Sequence, residues 1–130
     1  MSEAHTQRAE TSPRATYVEH LRRGELAYQV TEDERPVFYP RLIAPGTGGP
    51  LSWRVSSGLG TVYSCTTVHR RDTSYNVSII ELDEGIRLMS RVEDVEPAEV
   101  KIGMRVLVRV NEGENEDDPY PVFVRTEEKK

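Results

Sequence analysis

A chain of 130 residues with 36% hydrophobic content and a single cysteine is long enough for one domain with a modest core, and one cysteine excludes an internal disulfide or an all-thiolate metal site. Its 22 acidic residues outnumber 17 basic ones, for a net charge of -5, which weighs against the positive face that a nucleic-acid surface needs to displace counterions. No apolar run approaches the roughly 20 residues that a bilayer span requires, and the N-terminus lacks the apolar core of a signal peptide, so a cytoplasmic protein without a membrane partner is expected.

Residues 1–12 are polar, without apolar periodicity, and are expected to be a mobile N-terminus. Ser12 and Pro13 signal a helix start: a side-chain oxygen to cap, then a proline where a missing N–H costs nothing. Tyr17, Val18 and Leu21 give a short apolar face, and Gly24 follows Arg22 and Arg23 as a stop signal, so residues 13–24 are assigned to a helix. That face either packs onto the domain or docks onto a partner, with Tyr17 and Leu21 as its docking residues. Over residues 25–50 only Val37, Phe38 and Tyr39 read as a short strand, and Gly46 to Pro50 as a loop. So little apolar material must lean on a metal, on the following domain or on another protein.

From Leu51 the pattern changes. Leu51, Trp53 and Val55 alternate with polar residues as a half-buried strand. Thr61 to Arg70 and Tyr75 to Leu82 are the second and third strands, with a turn at Asp83, Glu84 and Gly85. Ile86, Leu88, Ser90 and Val92 form a fourth, Pro97 to Val100 one helical turn, Val106, Val108 and Val110 a fifth. An acidic loop from Glu112 to Asp118 precedes a closing strand at Pro121 to Arg125, and residues 127–130 form a tail. Five or six short strands with one interrupting turn predict a mainly β fold over residues 51–126: a small barrel, OB-fold first and SH3-like second.

The densest grouping of functional side chains is the run from Ser56 to Arg71. Gly58 and Gly60 open a strand rich in Val, Thr and Tyr, and His69, Arg70 and Arg71 gather positive charge at its far end. Glycines at a strand entrance mark a bulge, a barrel corner or the close approach of a backbone or ligand. Cys65 and His69 suggest a nucleophile and base, but residues four apart on a strand are separated by roughly 13 Å, so no dyad is expected. Asp83–Glu84 and Glu93–Asp94 read as solvated turns. No catalytic residue is assigned. The acidic loop reads as a solvated hairpin or, more sharply, as a steering surface toward a basic partner. Tyr63 and Tyr75 leave single-stranded nucleic-acid binding by an OB-fold as the alternative function, which the scarce cations disfavour.

Gly58-Leu59-Gly60-Thr61-Val62-Tyr63-Ser64, followed by Thr67-Val68-His69-Arg70, resembles the signature of the acyl-CoA-associated OB-fold family known as domain of unknown function 35. Leu21 to Leu26, Tyr39-Pro40-Arg41, Leu51-Ser52-Trp53, Glu81 to Gly85, Ile102 to Val106 and Pro121-Val122-Phe123 extend the resemblance over Tyr17 to Arg125. Members commonly carry a rubredoxin-like zinc ribbon of two cysteine pairs, which here fall near Thr31 and Glu34 and at Ala44 and Thr47. Zinc needs about four converging nitrogen, sulfur or carboxylate ligands, and residues 25–50 hold no Cys or His, so a degenerate, metal-free ribbon is expected.

The resemblance implies an accessory subunit without catalysis of its own. It would dock on a thiolase-like enzyme, or another acyl-CoA-processing subunit such as an aldolase or hydratase, and help form the acyl-CoA channel. Coenzyme A carries phosphates that suit arginine forks and a slender arm that suits a narrow channel. Gly58, Gly60, Tyr63, His69, Arg70 and Arg71 are the residues expected to meet the partner or a shared coenzyme A thioester.

Overall fold

The computed structural model describes residues 12–112 and 118–127. All of the expected mobile N-terminus but Ser12, most of the acidic loop and most of the C-terminal tail lie outside these residues.

Helix α1 (Pro13–Arg22) begins as its sequence dictates, with the Ser12 Oγ accepting the Ala15 N–H at 3.2 Å and Pro13 in the first turn. It ends at Gly24, whose φ of +81° takes the left-handed conformation that stops a helix. Its one apolar face, Tyr17, Val18 and Leu21, is buried in the core shared with the barrel.

Three short strands follow: β1 (Ala27–Val30), β2 (Pro36–Val37) and β3 (Ser52–Val55), in an antiparallel sheet of order β2-β1-β3. Strand β1 carries no alternation to betray it, since Ala27, Gln29 and Val30 are all buried. β3 was expected to open the barrel but pairs with β1, through Ala27↔Val55 to Val30↔Ser52. Only Trp53 of β3 reaches the core, while Val55 is half exposed. Of the three supports the sequence allowed for this segment, the structure shows the following domain: Leu26, Tyr28, Phe38 and Trp53 join the core cluster.

The barrel comprises β4 (Leu59–His69), β5 (Ser74–Leu82), β6 (Arg87–Ser90), β7 (Val92–Glu93), a 3-10 turn (Pro97–Glu99), β8 (Arg105–Asn111) and β9 (Tyr120–Arg125). The sheet order is β6-β5-β4-β8-β9-β7, antiparallel except for β7 against β9. β6 and β7 are one run broken at Arg91, so the two sheet edges are the same stretch of chain and the sheet closes on itself. Closure happens at that break: Phe123 N–H donates to the Arg91 carbonyl at 3.0 Å and Ser90 Oγ to the Pro121 carbonyl at 3.1 Å. Five runs, antiparallel to their neighbours except the third against the fifth, with a turn between the third and fourth, make the OB-fold the sequence predicts. Val62, Ile80, Leu82, Leu88, Val92, Val106 and Phe123 fill its interior.

Candidate functional site

An open groove of about 420 Å³ runs where α1 and the three-stranded sheet meet the barrel. Tyr17, Phe38 and Tyr39 form one wall, and Tyr75, Met89 and Tyr120 stand on the other. Strand alternation sets the second wall, since β5 turns Asn76 and Ser78 inward and leaves Tyr75 and Val77 outward. In the first wall the rings meet edge to face, Tyr17 with Phe38 at 5.8 Å and Phe38 with Tyr39 at 5.0 Å. Tyr39, Met89 and Tyr120 remain 58%, 63% and 42% exposed, an apolar surface that the fold itself leaves uncovered.

Three of the tyrosines each carry an arginine. Arg14 lies 5.7 Å from the Tyr17 ring centre, Arg70 5.7 Å from Tyr75 and Arg91 5.8 Å from Tyr120. Arg70 Nη2 also donates to the Tyr75 hydroxyl at 3.3 Å, and Arg91 Nη2 to the Tyr120 hydroxyl at 3.4 Å. Burial pushes the Tyr17 phenol up to about 12 against the opposing pull of Arg14, so it stays a neutral wall of the groove.

Below the groove lies a buried amide that the barrel depends on. β5 and β6 pair through Ser78↔Ser90, so the same register two residues on would set Asn76 opposite Val92. The backbones have parted there, and the side chain bridges them. Asn76 Nδ2 donates to the Val92 carbonyl at 2.7 Å, and its Oδ1 accepts the Val92 N–H at 3.0 Å and the Ser78 hydroxyl at 2.9 Å. Asn76 thus holds the third strand where it passes from β5 to β9. In the smaller sheet Gln29 does the same work, its amide bonding both the N–H and the carbonyl of Arg41 at 2.9 Å.

The residues singled out from the sequence separate into two groups. Gly58 and Gly60 are buried in packing and not open to a ligand. A Cβ at Gly58, where φ is +83°, would stand 2.5 Å from Val108 Cγ1, and one at Gly60 would stand 2.8 Å from the Glu81 carbonyl oxygen. Tyr17 and Leu21, expected to dock on a partner, are 6% and 1% exposed and belong to the chain's own core, because the short helix has no second apolar face to bury. Tyr63 projects from a bulge in β4 and is not among the residues that line the groove; Arg87 lies 3.7 Å from its ring centre. His69, Arg70 and Arg71 are exposed at the end of the β4–β5 hairpin, where His69 Nδ1 meets Ser74 Oγ at 3.1 Å. Arg70 alone of that run reaches the groove, through Tyr75.

The other chemical suggestions resolve into structure. Cys65 Sγ donates to the Val100 carbonyl at 3.5 Å and does not meet His69. The acidic pairs are all bonded, and only Asp94 is exposed as a solvated turn would have it. Asp83 pairs with Arg105 at 2.8 Å, and Glu84 accepts from Ser56 Oγ at 2.8 Å and from the Ser57 N–H at 2.9 Å. Glu93 meets Arg91, Arg109 and Asn111, and Asp94 meets Arg109 at 2.7 Å. Burial works to raise the Glu93 carboxyl, but bonds from Asn111, Arg109 and Arg91 outweigh it and hold it below its ordinary value.

The four positions of the expected zinc ribbon do not fit the metal. Thr31 Oγ1 accepts the Arg35 N–H at 3.0 Å and donates to Asp33, and Glu34 pairs with Arg54 at 2.8 Å. Ala44 is a buried methyl, and Thr47 Oγ1 accepts the Gly49 N–H at 3.3 Å. Among the described residues no three His, Cys, Asp or Glu side chains cluster as metal ligands, and no helix is long and apolar enough to cross a membrane.

A five-stranded OB barrel fronted by a helix and a small antiparallel sheet, with an aromatic groove at their junction, defines the class. Residues 53–111 match the family model described as the ChsH2 C-terminal OB-fold domain. The chain is 37% identical over 62 residues to the 3-oxo-4,17-pregnadiene-20-carboxyl-CoA hydratase alpha subunit of Mycobacterium tuberculosis, covering 44% of this chain and 20% of that protein. It is 39% identical over 56 residues to a DUF35 domain-containing scaffold protein of Methanocaldococcus jannaschii, covering 38% of this chain and 40% of that one. It therefore spans well under half the length of these curated relatives. A solved chain of an Ltp2-ChsH2(DUF35) aldolase superposes with a TM-score of 0.76 at 25% identity, over 87% of this chain and 94% of that one. Over the matched residues the barrel is similar to the acyl-CoA-associated OB-fold family known as domain of unknown function 35, the resemblance that the run from Gly58 to Arg70 carries.

Proposed function

We propose that this chain is a non-catalytic accessory subunit of an acyl-CoA-processing enzyme, docking on the catalytic subunit and helping to form the acyl-CoA channel. One observation carries the reading: each group that the sequence offers for catalysis is committed to holding the fold. Cys65 is turned to Val100, His69 to Ser74, and Asp83, Glu84, Glu93 and Asp94 to arginines or backbone. A general base must reach a substrate proton and a nucleophile must reach its base, and these groups are spent elsewhere. The likeness to a chain of an Ltp2-ChsH2(DUF35) aldolase and to a hydratase alpha subunit supports an aldolase or hydratase as partner beside the thiolase-like one that the family resemblance suggests. In this reading Arg71, exposed at the hairpin end, supplies a cation for coenzyme A phosphates, and Arg70 beside it faces the partner. On the same reading the ribbon binds no zinc, because Glu34 is the one possible ligand among its four positions and is paired with Arg54.

The purified chain, assayed alone for thiolase, aldolase and hydratase activity on acyl-CoA substrates, should turn nothing over. Co-purified from its host, it should bring an acyl-CoA enzyme whose KM for acyl-CoA rises when Arg71 is changed to Glu. Turnover by the isolated protein would overturn the reading.

A further inference from the structure

We propose that the groove seats a segment of a partner protein carrying one or two bulky apolar side chains flanked by carboxylates, with Arg70 taking a carboxylate. Only the identity of that partner, the catalytic subunit, rests on the function proposed above.

The occupant is read from three features. First, the rims are themselves solvent-facing: Tyr39 at 58%, Met89 at 63% and Tyr120 at 42% exposure. A small-molecule site buries most of its ligand between enclosing walls, whereas an open apolar trough needs a cover that brings surface of its own. Second, the side chains are those that suit polypeptide anchors. Tyrosines offer wide rings with a polar tip at little entropic cost, and an exposed methionine adapts to the shape it meets. Third, the rim is cationic on a chain of net charge -5. Arg91 already shares Glu93 at 2.6 Å, and Arg14 shares Asp118 at 3.4 Å. The Arg70 guanidinium bonds only the Tyr75 hydroxyl among the described residues, so an incoming carboxylate gains a charge-assisted bond there without displacing another. A nucleic-acid strand would also like tyrosines and arginines. Glu93 and Asp118 beside two of the three arginines oppose its phosphates, however, and Met89 offers no stacking face.

The test pans the full chain against a displayed random-peptide library and measures the selected peptides, made synthetically, by fluorescence anisotropy. Expected are sequences pairing aromatic or aliphatic anchors with Asp or Glu. Their binding should weaken about tenfold or more in Arg70→Glu and in Met89→Glu, and with rising ionic strength. Ile102→Glu, at a position 71% exposed and outside the groove, should bind as wild type does. Thermal melts confirm that each variant is folded; the substituted side chains are exposed, so folding should survive. Basic selected sequences, no selection at all, or indifference to both groove variants overturns the proposal, as does an oligonucleotide that binds more tightly than any peptide and depends on Arg70. A catalytic subunit that binds both groove variants as well as wild type would sink the groove and spare the accessory reading. Acidic peptides seated in the groove of a chain that binds no acyl-CoA enzyme would do the reverse.

Discussion

Replacing Asn76 with alanine tests whether a single amide holds the barrel closed. The substitution strips partners from three buried groups at once: the Val92 N–H, the Val92 carbonyl and the Ser78 hydroxyl. Each buried polar group left unpaired costs about 1–3 kcal/mol, and a water entering the vacated space returns part of that. A net loss of about 3 kcal/mol is therefore expected in urea unfolding, a large share of the roughly 5–15 kcal/mol that holds a domain together. The melting temperature should fall by roughly 10 °C. Asn76→Asp sharpens the test. Its carboxylate can still accept from Val92 and Ser78, but turns a second acceptor toward the Val92 carbonyl and buries a charge. Protonated, it becomes a near-isostere of asparagine and can donate again. Its pKa in the folded state is thus raised, so the protonated form's stability is present in acid and lost as pH climbs through and above the ordinary aspartate range. The aspartate variant should stand close to wild type in acid and well below it at neutral pH. An alanine variant that loses less than about 1 kcal/mol, or an aspartate deficit that does not change with pH, would refute the reasoning.

Gly60→Ala should destabilise by about 1–3 kcal/mol in the same assay, because the new Cβ meets a carbonyl oxygen of the adjoining strand that cannot move without parting β4 from β5. Glu93 has a carboxyl held below its ordinary value, so its stabilisation is complete above that value and disappears as pH falls through the carboxylate range. Glu93→Gln should then lose less stability on acidification than wild type, read as a shallower acid limb in melting temperature against pH. Prolonged treatment with a strong chelator should leave the melting temperature unchanged, and a drop would reveal a metal in the ribbon.

How much of this was legible in the sequence depended on how local the cause was. The helix start at Ser12–Pro13, the alternation of β5, the turn at Asp83 to Gly85 and the 3-10 turn at Pro97 are set by neighbours in the chain, and each stands within a residue or two of its expected place. Strand β1 was missed because both of its faces are covered and its buried polar residue, Gln29, breaks the apolar run. β3 looked like a barrel strand because alternation reports a half-buried face without saying which sheet buries it. The Gly-x-Gly step was correctly a special backbone, yet its cause is Val108 and Glu81, brought from distant strands. Least legible was the groove. Tyr17, Tyr39, Tyr75 and Tyr120 come from four separate elements, and no spacing in the sequence connects them.

The two bridging amides also bear on how a partner would be met. Tyr39 of the groove lies in the turn that Gln29 fixes at Arg41, and Tyr75 and Met89 lie on the strands that Asn76 and its register hold apart. Both walls are thus set by bonds within the chain, with side-chain amides standing where a metal or a continued strand ladder would do the same work. A wall already fixed loses little conformational entropy when it is covered, so more of the burial energy appears as affinity. This makes the groove a surface that meets its occupant preformed. A variant such as Gln29→Ala, which frees Arg41 and with it Tyr39, should weaken peptide binding without removing any side chain that lines the groove.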